Sequence, residues 1–415
     1  MKFFINSYFG DNQSIGLLSH IKKRLPYGMD DQWMVFSHYT ERGWTVDNLW
    51  HIFTDFYGGQ YAPLAFLSYL VLYAGFGYDP FYFHMFSLLL HIGCVCLVWK
   101  LISSLLRVHG GVSEKQILYV NFITTLLFAV HPINVEAVAW ISALKVLLYA
   151  FFYLLGLLCY LRYIRTSKIF YYVLTIGCFL CSFWGKEQAV TFPLALLIVD
   201  WFTNRNMKNL EVWSEKMSFL IMAFFFGIIT VLSQGKGPYE MIFPLYQRLL
   251  FGCFALVEYI TKSLLPVNLN FFYPFPIVLG EEPPLHYYLY PVVLLFLMGW
   301  IMAYRNNRYL VFGVLLFLVN LLFSIHLFNM SRHAIVADRY MYLSYVGIAF
   351  LIANGIWWLR KRLSYFKAAL VFLFFYCFFL SVYTFHYTKK WENTTMVKKY
   401  TKEVLEKRLN GSNHL

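Results

Sequence analysis

Long apolar stretches separated by short polar loops run along most of the chain. They are continuously apolar, whereas strands would alternate, and an open sheet leaves backbone groups unpaired in lipid. We therefore predict an all-α polytopic membrane protein with spans of about 20 residues. About ten spans are expected, at 80–104, 117–131, 145–163, 169–186, 189–203, 216–234, 286–304, 309–328, 340–359 and 365–387.

Composition agrees with that pattern. Of the 415 residues, 60% are hydrophobic and 13% charged, against about 25% charged in a soluble domain. The net charge of +13 would suggest nucleic acid as a partner of a soluble protein. In a membrane protein it is typical of cytoplasmic loops, so membrane lipid is the expected partner and nucleic acid is not.

Lysine and arginine concentrate in one set of loops, which the positive-inside rule makes cytoplasmic. These bases are Lys100, Arg107, Lys115, Arg162, Arg165, Lys168, Arg205, Lys208, Lys216, Arg305, Arg308, Arg360, Lys361, Arg362 and Lys367. The acids on that side are Glu114, Asp200, Glu211 and Glu215. Asp200, at a cytoplasmic helix end, is expected to be solvated.

The stretch 245–265 is predicted not to cross the membrane, because a crossing would place the loop holding Arg305 and Arg308 outside. Glu258 and Lys262 lie on one face of that helix. An interfacial or re-entrant helix on the non-cytoplasmic side fits both observations.

This topology divides the chain into three parts. Residues 1–79 form a non-cytoplasmic segment with the first outer loop and interfacial helices, and no span is expected before it. Residues 80–387 form the transmembrane domain. Residues 388–415 form a short non-cytoplasmic tail.

Adjacent carboxylates, Asp30 and Asp31, stand in the first outer loop. One can act as a general base while the other orients the substrate. Asp31 is favoured narrowly as the base, since Gln32 and Trp33 suggest a wall that faces the substrate and Asp30 is expected to fix the loop. The alternative is a pair of ordinary loop acids.

A second polar group follows the span that ends at His131. Pro132 ends that helix, so His131 and Glu136 are presented at the non-cytoplasmic face. The competing interpretation is a capped helix end without further function.

Basic residues on the same side suit a phosphate. Lysine supplies a point charge and arginine a bidentate fork. The residues concerned are Lys145, Lys186 with Glu187, Lys262, and Arg332, His333, Asp338, Arg339 and Tyr340. The alternatives are lysines that snorkel to the interface and an Asp338–Arg339 pair that anchors a loop.

Other polar residues are interpreted as structural. His84 and His91 share one helix face and are predicted to be core histidines bonded to a neighbouring helix. Cys178 and Cys181 have zinc-ligand spacing without a second pair, so no metal site is predicted. The paired acids leave a divalent metal possible, though none is expected.

Seven stretches together resemble the membrane module of GT-C-type glycosyltransferases, specifically the transmembrane and tetratricopeptide-repeat protein O-mannosyltransferase family with its bacterial relatives. They are Asp30-Asp31, YAPLAFLSY at 61–69, FGYDPFYFHMFSLLLH at 76–91, HPINVEAVAWIS at 131–142, GKEQAVTFP at 185–193, YITKSLLPVNLNFFYP at 259–274 and ADRYMYLSYVG at 337–347. The resemblance implies a GT-C-like bundle of about ten transmembrane helices plus the interfacial or re-entrant helix.

The resemblance also implies a role for each group. Asp30 or Asp31 would be the catalytic base, and Lys186, Lys262 and Arg339 would face the phosphate of a polyprenyl-phosphate sugar donor. The cavity would be lined by His131, Glu136, Glu187, Lys145, Asp338 and Tyr340. The chain differs from the family at Ala62, where arginine is common, around Lys145, and in having no apolar helix before Asp30.

The leading hypothesis is an integral-membrane glycosyltransferase that moves a sugar to a protein or glycan hydroxyl on the non-cytoplasmic side, with no cofactor besides the lipid-linked donor. A non-catalytic assembly subunit with the same fold and a transporter of lipid-linked sugars are the alternatives. A bacterial inner membrane with a periplasmic site is the expected location, with the endoplasmic reticulum as the alternative.

Overall fold

The computed structural model describes residues 30–234, 243–326 and 334–412. Within these ranges the chain is helical and contains no strand beyond two isolated bridges. Arg332 and His333 lie outside the described residues.

The helices follow one another through short connections. Their bounds are α1 Asp31–Met34, α2 His38–Glu41, α3 Val46–Thr54, α4 Pro63–Phe76, α5 Pro80–His109, α6 Glu114–Val130, α7 Val135–Ala139, α8 Leu144–Thr166, α9 Ile169–Gly185, α10 Phe192–Phe202, α11 Leu210–Gln234, α12 Leu245–Leu264, α13 Leu289–Ala303, α14 Arg308–Leu321, α15 Met341–Trp358, α16 Leu363–Thr388 and α17 Thr394–Ser412. Short 3₁₀ turns extend several of them, including Pro132–Asn134, Ile141–Ala143 and Lys389–Trp391.

Local sequence explains where several of these helices begin. Asp79 caps α5 by accepting a hydrogen bond from the backbone of Phe81, and Pro80 occupies the first turn. Ser113 caps α6 and Asn307 caps α14 in the same way. These caps fix the loops that separate the apolar helices.

The all-α polytopic membrane fold is confirmed. Six helical segments in the described part are long and apolar enough to cross a membrane: Pro80–His109, Ile141–Thr166, Leu210–Ser233, Leu285–Ala303, Asp338–Lys361 and Leu363–Trp391. A seventh is the pair Glu114–Val130 and Pro132–Ala139, bent by 50°. The apolar helices Pro63–Phe76, Ile169–Gly185 and Arg308–Leu321 are shorter.

The stretches 189–203 and 245–265 form helices that do not qualify as membrane spans. The span expected at 189–203 is the helix α10 of 11 residues, about 17 Å long and too short to cross a hydrocarbon core of about 30 Å alone. The helix α12, predicted not to cross, has 20 residues and is not among the segments that qualify as spans.

Helix α8 forms the centre of the bundle, since most of its side chains are buried, whereas α13 and α16 are largely exposed at the periphery. Small residues let α14 and α15 approach closely. A Cβ on Gly347 would lie 2.5 Å from the carbonyl oxygen of Gly313. Backbone contact of this kind is typical of helix packing in membranes.

Opposite ends of α8 carry two different polar clusters. Lys145 lies in its first turn and Tyr160 about 22 Å further along the helix. The Lys145 end is joined by the first outer loop, because Met34 and Val35 belong to the same apolar cluster as Leu144. That end contains the predicted site.

The Tyr160 end corrects one prediction. Asp200 was expected to be solvated, and that expectation is wrong: its side chain is 0% exposed. It lies 2.5 Å from the Lys216 ammonium and 3.2 Å from the Arg205 guanidinium, and accepts a hydrogen bond from Tyr160 at 2.8 Å. Helix α11 brings Lys216 against the end of α10, so the acid is buried with its counter-ions.

The prediction for His91 is confirmed. Its Nδ1 lies 2.7 Å from the hydroxyl of Tyr342 on α15, inside the bundle. A hydrogen bond between α5 and α15 therefore accounts for this histidine.

Candidate functional site

Asp31 ties the first outer loop to the start of α8. Its Oδ2 accepts the indole N–H of Trp140 at 3.2 Å, and its Oδ1 accepts the backbone N–H of Ser142 at 3.0 Å as well as the Ser142 hydroxyl. The carboxyl is buried. These donors lie on the irregular segment between α7 and α8, so Asp31 joins two elements more than a hundred residues apart.

The environment of Asp31 also changes the pKa of its carboxyl group. Burial raises the pKa of this carboxyl to about 6, and the neighbouring charge of Asp30 acts in the same direction. The hydrogen bonds from Ser142 and Trp140 oppose the rise because they favour the ionised form. Asp31 is thus a weaker acid than an exposed aspartate.

Asp30 has different surroundings. It is partly exposed and lies close enough to Lys145 and Arg339 to interact electrostatically with both. The loop-fixing contacts that the sequence suggested for Asp30 are made by Asp31. Asp30 is therefore the more accessible of the two adjacent acids.

The HPINVEAVAW segment folds into a break between two helices. His131 accepts the backbone N–H of Ile133 through Nδ1 at 3.2 Å, and its ring centroid lies 4.2 Å from that of Tyr345. Asn134 donates to the carbonyl of Phe128 at 2.7 Å. His131 is buried and caps the turn, while the short helix α7 presents Glu136.

Glu136 and Arg339 form the central ion pair. Arg339 Nη1 lies 2.5 Å from Glu136 Oε1, and the Arg339 backbone N–H donates to Oε2 at 2.7 Å. The guanidinium also lies over the rings of Trp140 and Tyr340, 5.3 and 5.2 Å from their centroids. Among the described residues, its other N–H groups have no hydrogen-bond partner, so they can bind an anion.

Two lysines complete a basic cluster around Arg339. Lys145 donates to Gln60 Oε1 at 2.5 Å, and Lys186 lies 4.9 Å from the centre of the Tyr340 ring. Both are almost fully buried. Lys145 interacts electrostatically with Lys186, Asp30, Glu187 and Arg339. Lys145 therefore lies within electrostatic range of four other predicted groups, which come from three further segments of the chain.

Lys262 and Asp338 belong to an adjacent network. The hydroxyl of Tyr273 accepts a hydrogen bond from Lys262 at 2.9 Å and donates to Asp338 at 2.9 Å. Glu258 lies 3.6 Å from the Lys262 ammonium. In the described part of the chain, Arg339 pairs with Glu136 and Asp338 contacts Tyr273, so the two neighbours do not form the loop-anchoring pair suggested as an alternative.

Sequence reasoning missed four residues that organise this site: Gln60, Trp140, Ser142 and Tyr273. Trp140 and Ser142 lie inside the HPINVEAVAWIS stretch. The resemblance pointed to that stretch, but nothing in the sequence indicated that these two residues contact Asp31. Gln60 has no sequence signal, because only folding brings it to Lys145.

No three or more His, Cys, Asp or Glu side chains gather in a geometry that could hold a metal ion, within the ranges that the structure describes. The site brings four bases, Lys145, Lys186, Lys262 and Arg339, together with the acids Asp30, Asp31, Glu136, Glu187 and Asp338. Arg339 and the two lysines Lys145 and Lys186 place positive charge next to a carboxylate, an arrangement that suits an anion.

Comparison with known proteins gives a consistent result. No protein-family model and no solved structure matches the chain. The chain is 32% identical over 189 residues to the protein O-mannosyl-transferase TMTC2 of Mus musculus, covering 41% of this chain and 21% of that protein. It is 28% identical over 172 residues to Tmtc3 of Drosophila melanogaster, covering 37% and 18%, and 29% identical over 181 residues to human TMTC1, covering 39% and 20%.

These matches show a resemblance to the protein O-mannosyl-transferases of the TMTC family. The matched region spans about a fifth of the length of those relatives. The resemblance stated on sequence motifs is confirmed to that extent.

Proposed function

We propose that this protein is a membrane glycosyltransferase that moves a sugar from a polyprenyl-phosphate donor to an acceptor hydroxyl on the non-cytoplasmic side. The observation that carries the proposal is the meeting of Lys145, Lys186 and Arg339 beside the partly exposed Asp30. The relatives named protein O-mannosyl-transferases support mannose as the sugar and a protein as the acceptor.

Asp30 is the general base in this proposal. Its carboxylate takes the proton from the acceptor hydroxyl as the oxygen attacks the anomeric carbon of the sugar. The bond from that carbon to the phosphate oxygen breaks, and its electron pair leaves with the lipid phosphate. A single displacement inverts the anomeric centre.

The basic cluster stabilises the leaving phosphate. Arg339 is held by Glu136 through Nη1 and the backbone, which leaves its remaining N–H groups for the phosphate oxygens. Lys145 and Lys186 add two buried charges beside it. Fixed donors aimed at developing charge need no reorganisation during the reaction, and this lowers the barrier. Lys262 is a more distant member, acting through Asp338 and Tyr273.

Asp31 is a positioning residue. Its bonds to Ser142 and Trp140 hold α1 against the start of α8, where Lys145 lies. Trp140 in turn supports the Arg339 guanidinium with its ring. Asp31 therefore aligns the base with the phosphate-binding cluster without touching the substrate.

The test is transfer by purified protein in lipid nanodiscs. Polyprenyl-phosphate mannose with a labelled sugar is mixed with a peptide rich in serine and threonine, and label in the peptide is measured. We expect transfer by the wild type and its loss in Asp30→Asn. A folded wild type that binds the donor without transferring sugar would contradict the enzyme proposal and favour a non-catalytic membrane subunit.

A further inference from the structure

Four bases and no acid lie where α15 is joined to α16. Residues 357–367, which read WWLRKRLSYFK, contain Arg360, Lys361, Arg362 and Lys367, and we call this segment the basic turn. All four of these side chains are exposed. The two candidate membrane spans that the segment joins end at Lys361 and begin at Leu363, so the basic turn lies at a membrane surface.

That surface is opposite the candidate functional site. Arg339 precedes α15 and Trp358 ends it, and the 18 residues of α15 are about 27 Å long. The hydrocarbon core of a bilayer is about 30 Å thick. The basic turn therefore lies on the predicted cytoplasmic side and shares no residue with the site that contains Arg339.

The protein itself does not neutralise the charge of the basic turn. Each of the four acids on the predicted cytoplasmic side is already bonded elsewhere: Glu114 to Arg107, Asp200 and Glu215 to Lys216, and Glu211 to Asn209. In the part of the chain that the structure describes, no carboxylate pairs with a base of the basic turn. Counter-ions for these bases therefore come from outside the protein.

Aromatic rings hold three of the bases at the membrane surface. The distance from the cationic group to the ring centre is 4.4 Å for Arg360 over Trp357, 5.9 Å for Lys361 over Trp358 and 5.8 Å for Arg362 over Tyr365. Tryptophan and tyrosine prefer the headgroup level of a bilayer, and the face of a ring attracts a cation. Three neighbouring cations are therefore placed at the depth of the lipid phosphates.

Helix α6 adds to the same surface. The ring of Tyr119 lies 5.6 Å from that of Trp357 and 5.9 Å from that of Phe366. Lys115 is exposed, one turn before Tyr119 on the same face of α6. Ends of the three helices α6, α15 and α16 thus meet beside one group of cations.

We propose that the basic turn binds the headgroup of an anionic phospholipid in the predicted cytoplasmic leaflet. Arg360 and Arg362 hold the phosphate, since a guanidinium can donate two parallel hydrogen bonds to it, and Lys361 adds charge. Each base near an anionic membrane surface contributes about fivefold in affinity. The occupant is a membrane lipid rather than a soluble anion, because the basic turn lies where both spans leave the bilayer.

The turn between α8 and α9 provides a matched comparison. It carries three exposed bases on the same predicted side, Arg162, Arg165 and Lys168. Among the described residues, none of these three lies over an aromatic ring or pairs with an acid. If rings and clustering create the site, removing the same number of charges there should have little effect.

The test is a titration of the whole protein in neutral detergent with phosphatidylglycerol or phosphatidylcholine, in which bound lipid is counted by native mass spectrometry. We expect Arg360→Gln/Lys361→Gln/Arg362→Gln to lower the affinity for phosphatidylglycerol by about 100-fold, which is about fivefold for each base. Arg162→Gln/Arg165→Gln/Lys168→Gln, the matched control, should leave that affinity near the wild-type value.

Two milder variants test the geometry and keep every charge. Arg360→Lys/Arg362→Lys loses the planar forks and should bind phosphatidylglycerol with an affinity between those of the wild type and the triple variant. Trp358→Leu removes one ring at a position that is 64% exposed and should also weaken binding. Equal affinity for phosphatidylcholine, an equal loss in the matched control, or displacement of the lipid by inorganic phosphate would overturn the proposal. None of these outcomes depends on sugar transfer.

Discussion

Arg339 and Glu136 are 203 residues apart in the chain and form a buried ion pair in which the arginine contributes both its guanidinium and its backbone N–H. The stretches HPINVEAVAWIS and ADRYMYLSYVG are therefore in direct contact. Glu136 is fully buried, whereas the Arg339 side chain keeps 19% of its surface exposed. Glu136 therefore fixes the position of Arg339, and the exposed part of the Arg339 side chain remains able to contact a ligand.

Glu136→Gln should destabilise the protein markedly. Removing one partner of a buried pair leaves an uncompensated charge and costs about 3–5 kcal/mol. The double variant Glu136→Gln/Arg339→Gln should lose less than the sum of the single variants, because neither charge is then left alone. The free energy of unfolding in mixed detergent is measured for the two single variants and for the double variant. Glu114→Gln is the control: it breaks the exposed pair with Arg107 and should change the free energy of unfolding little. If the double variant lost the full sum of the two single losses, Glu136 and Arg339 would not act as a pair.

Asp30→Asn and Asp31→Asn should have different effects on turnover and on stability. Asp30→Asn should lower kcat by about 10²–10⁴-fold with little change in donor affinity, since it removes a general base. Asp31→Asn should mainly lower stability, because its amide N–H₂ would face the Trp140 indole N–H, another donor. Kinetics with labelled donor and a melting curve for each variant distinguish the roles. Full turnover in a folded Asp30→Asn would remove that residue from the mechanism.

The pattern of apolar stretches was enough to predict the fold class and the positions of most helices, because hydropathy records burial in lipid directly. It could not assign roles to Asp30 and Asp31. Their difference arises from Trp140 and Ser142, which reach Asp31 only through the break between α7 and α8. Adjacent identical residues carry no sequence signal for such a contact.

Asp31 should give the protein a distinctive stability profile against pH. Its pKa is raised to about 6 when folded, from 3.8 as the ordinary value. The folded state therefore holds the proton more tightly, so this residue's contribution to stability is complete below pH 3.8 and is lost as the pH rises through 6. The loss is about 3 kcal/mol at most.

Melting temperatures of wild type and Asp31→Asn, measured between pH 4 and 8 in the same nanodiscs, check this expectation. The wild type should lose stability relative to Asp31→Asn as the pH rises between about 4 and 6. Parallel curves for the two proteins would show that Asp31 keeps an ordinary pKa.

Buried charge misleads sequence reasoning at the opposite end of α8. Asp200 looked like a solvated helix end, since charged residues in loops usually face water. Its burial depends on Lys216 and Arg205, which come from the following loop and helix. Only three-dimensional packing shows that the acid and its counter-ions exclude water together.

Lys216→Met should therefore destabilise the Tyr160 end of the bundle more than the Lys145 end. Lys216 is fully buried, with its ammonium 2.5 Å from Asp200 and 3.0 Å from Glu215. Removing it leaves Asp200 with Arg205 and Tyr160 alone, and we expect a loss of about 3 kcal/mol. Lys208→Met, in the neighbouring loop, should be neutral. Sugar transfer per folded molecule should stay at the wild-type level, because Tyr160 lies about 22 Å along α8 from Lys145. Lowered transfer in a folded Lys216→Met would show that the two ends of α8 are coupled.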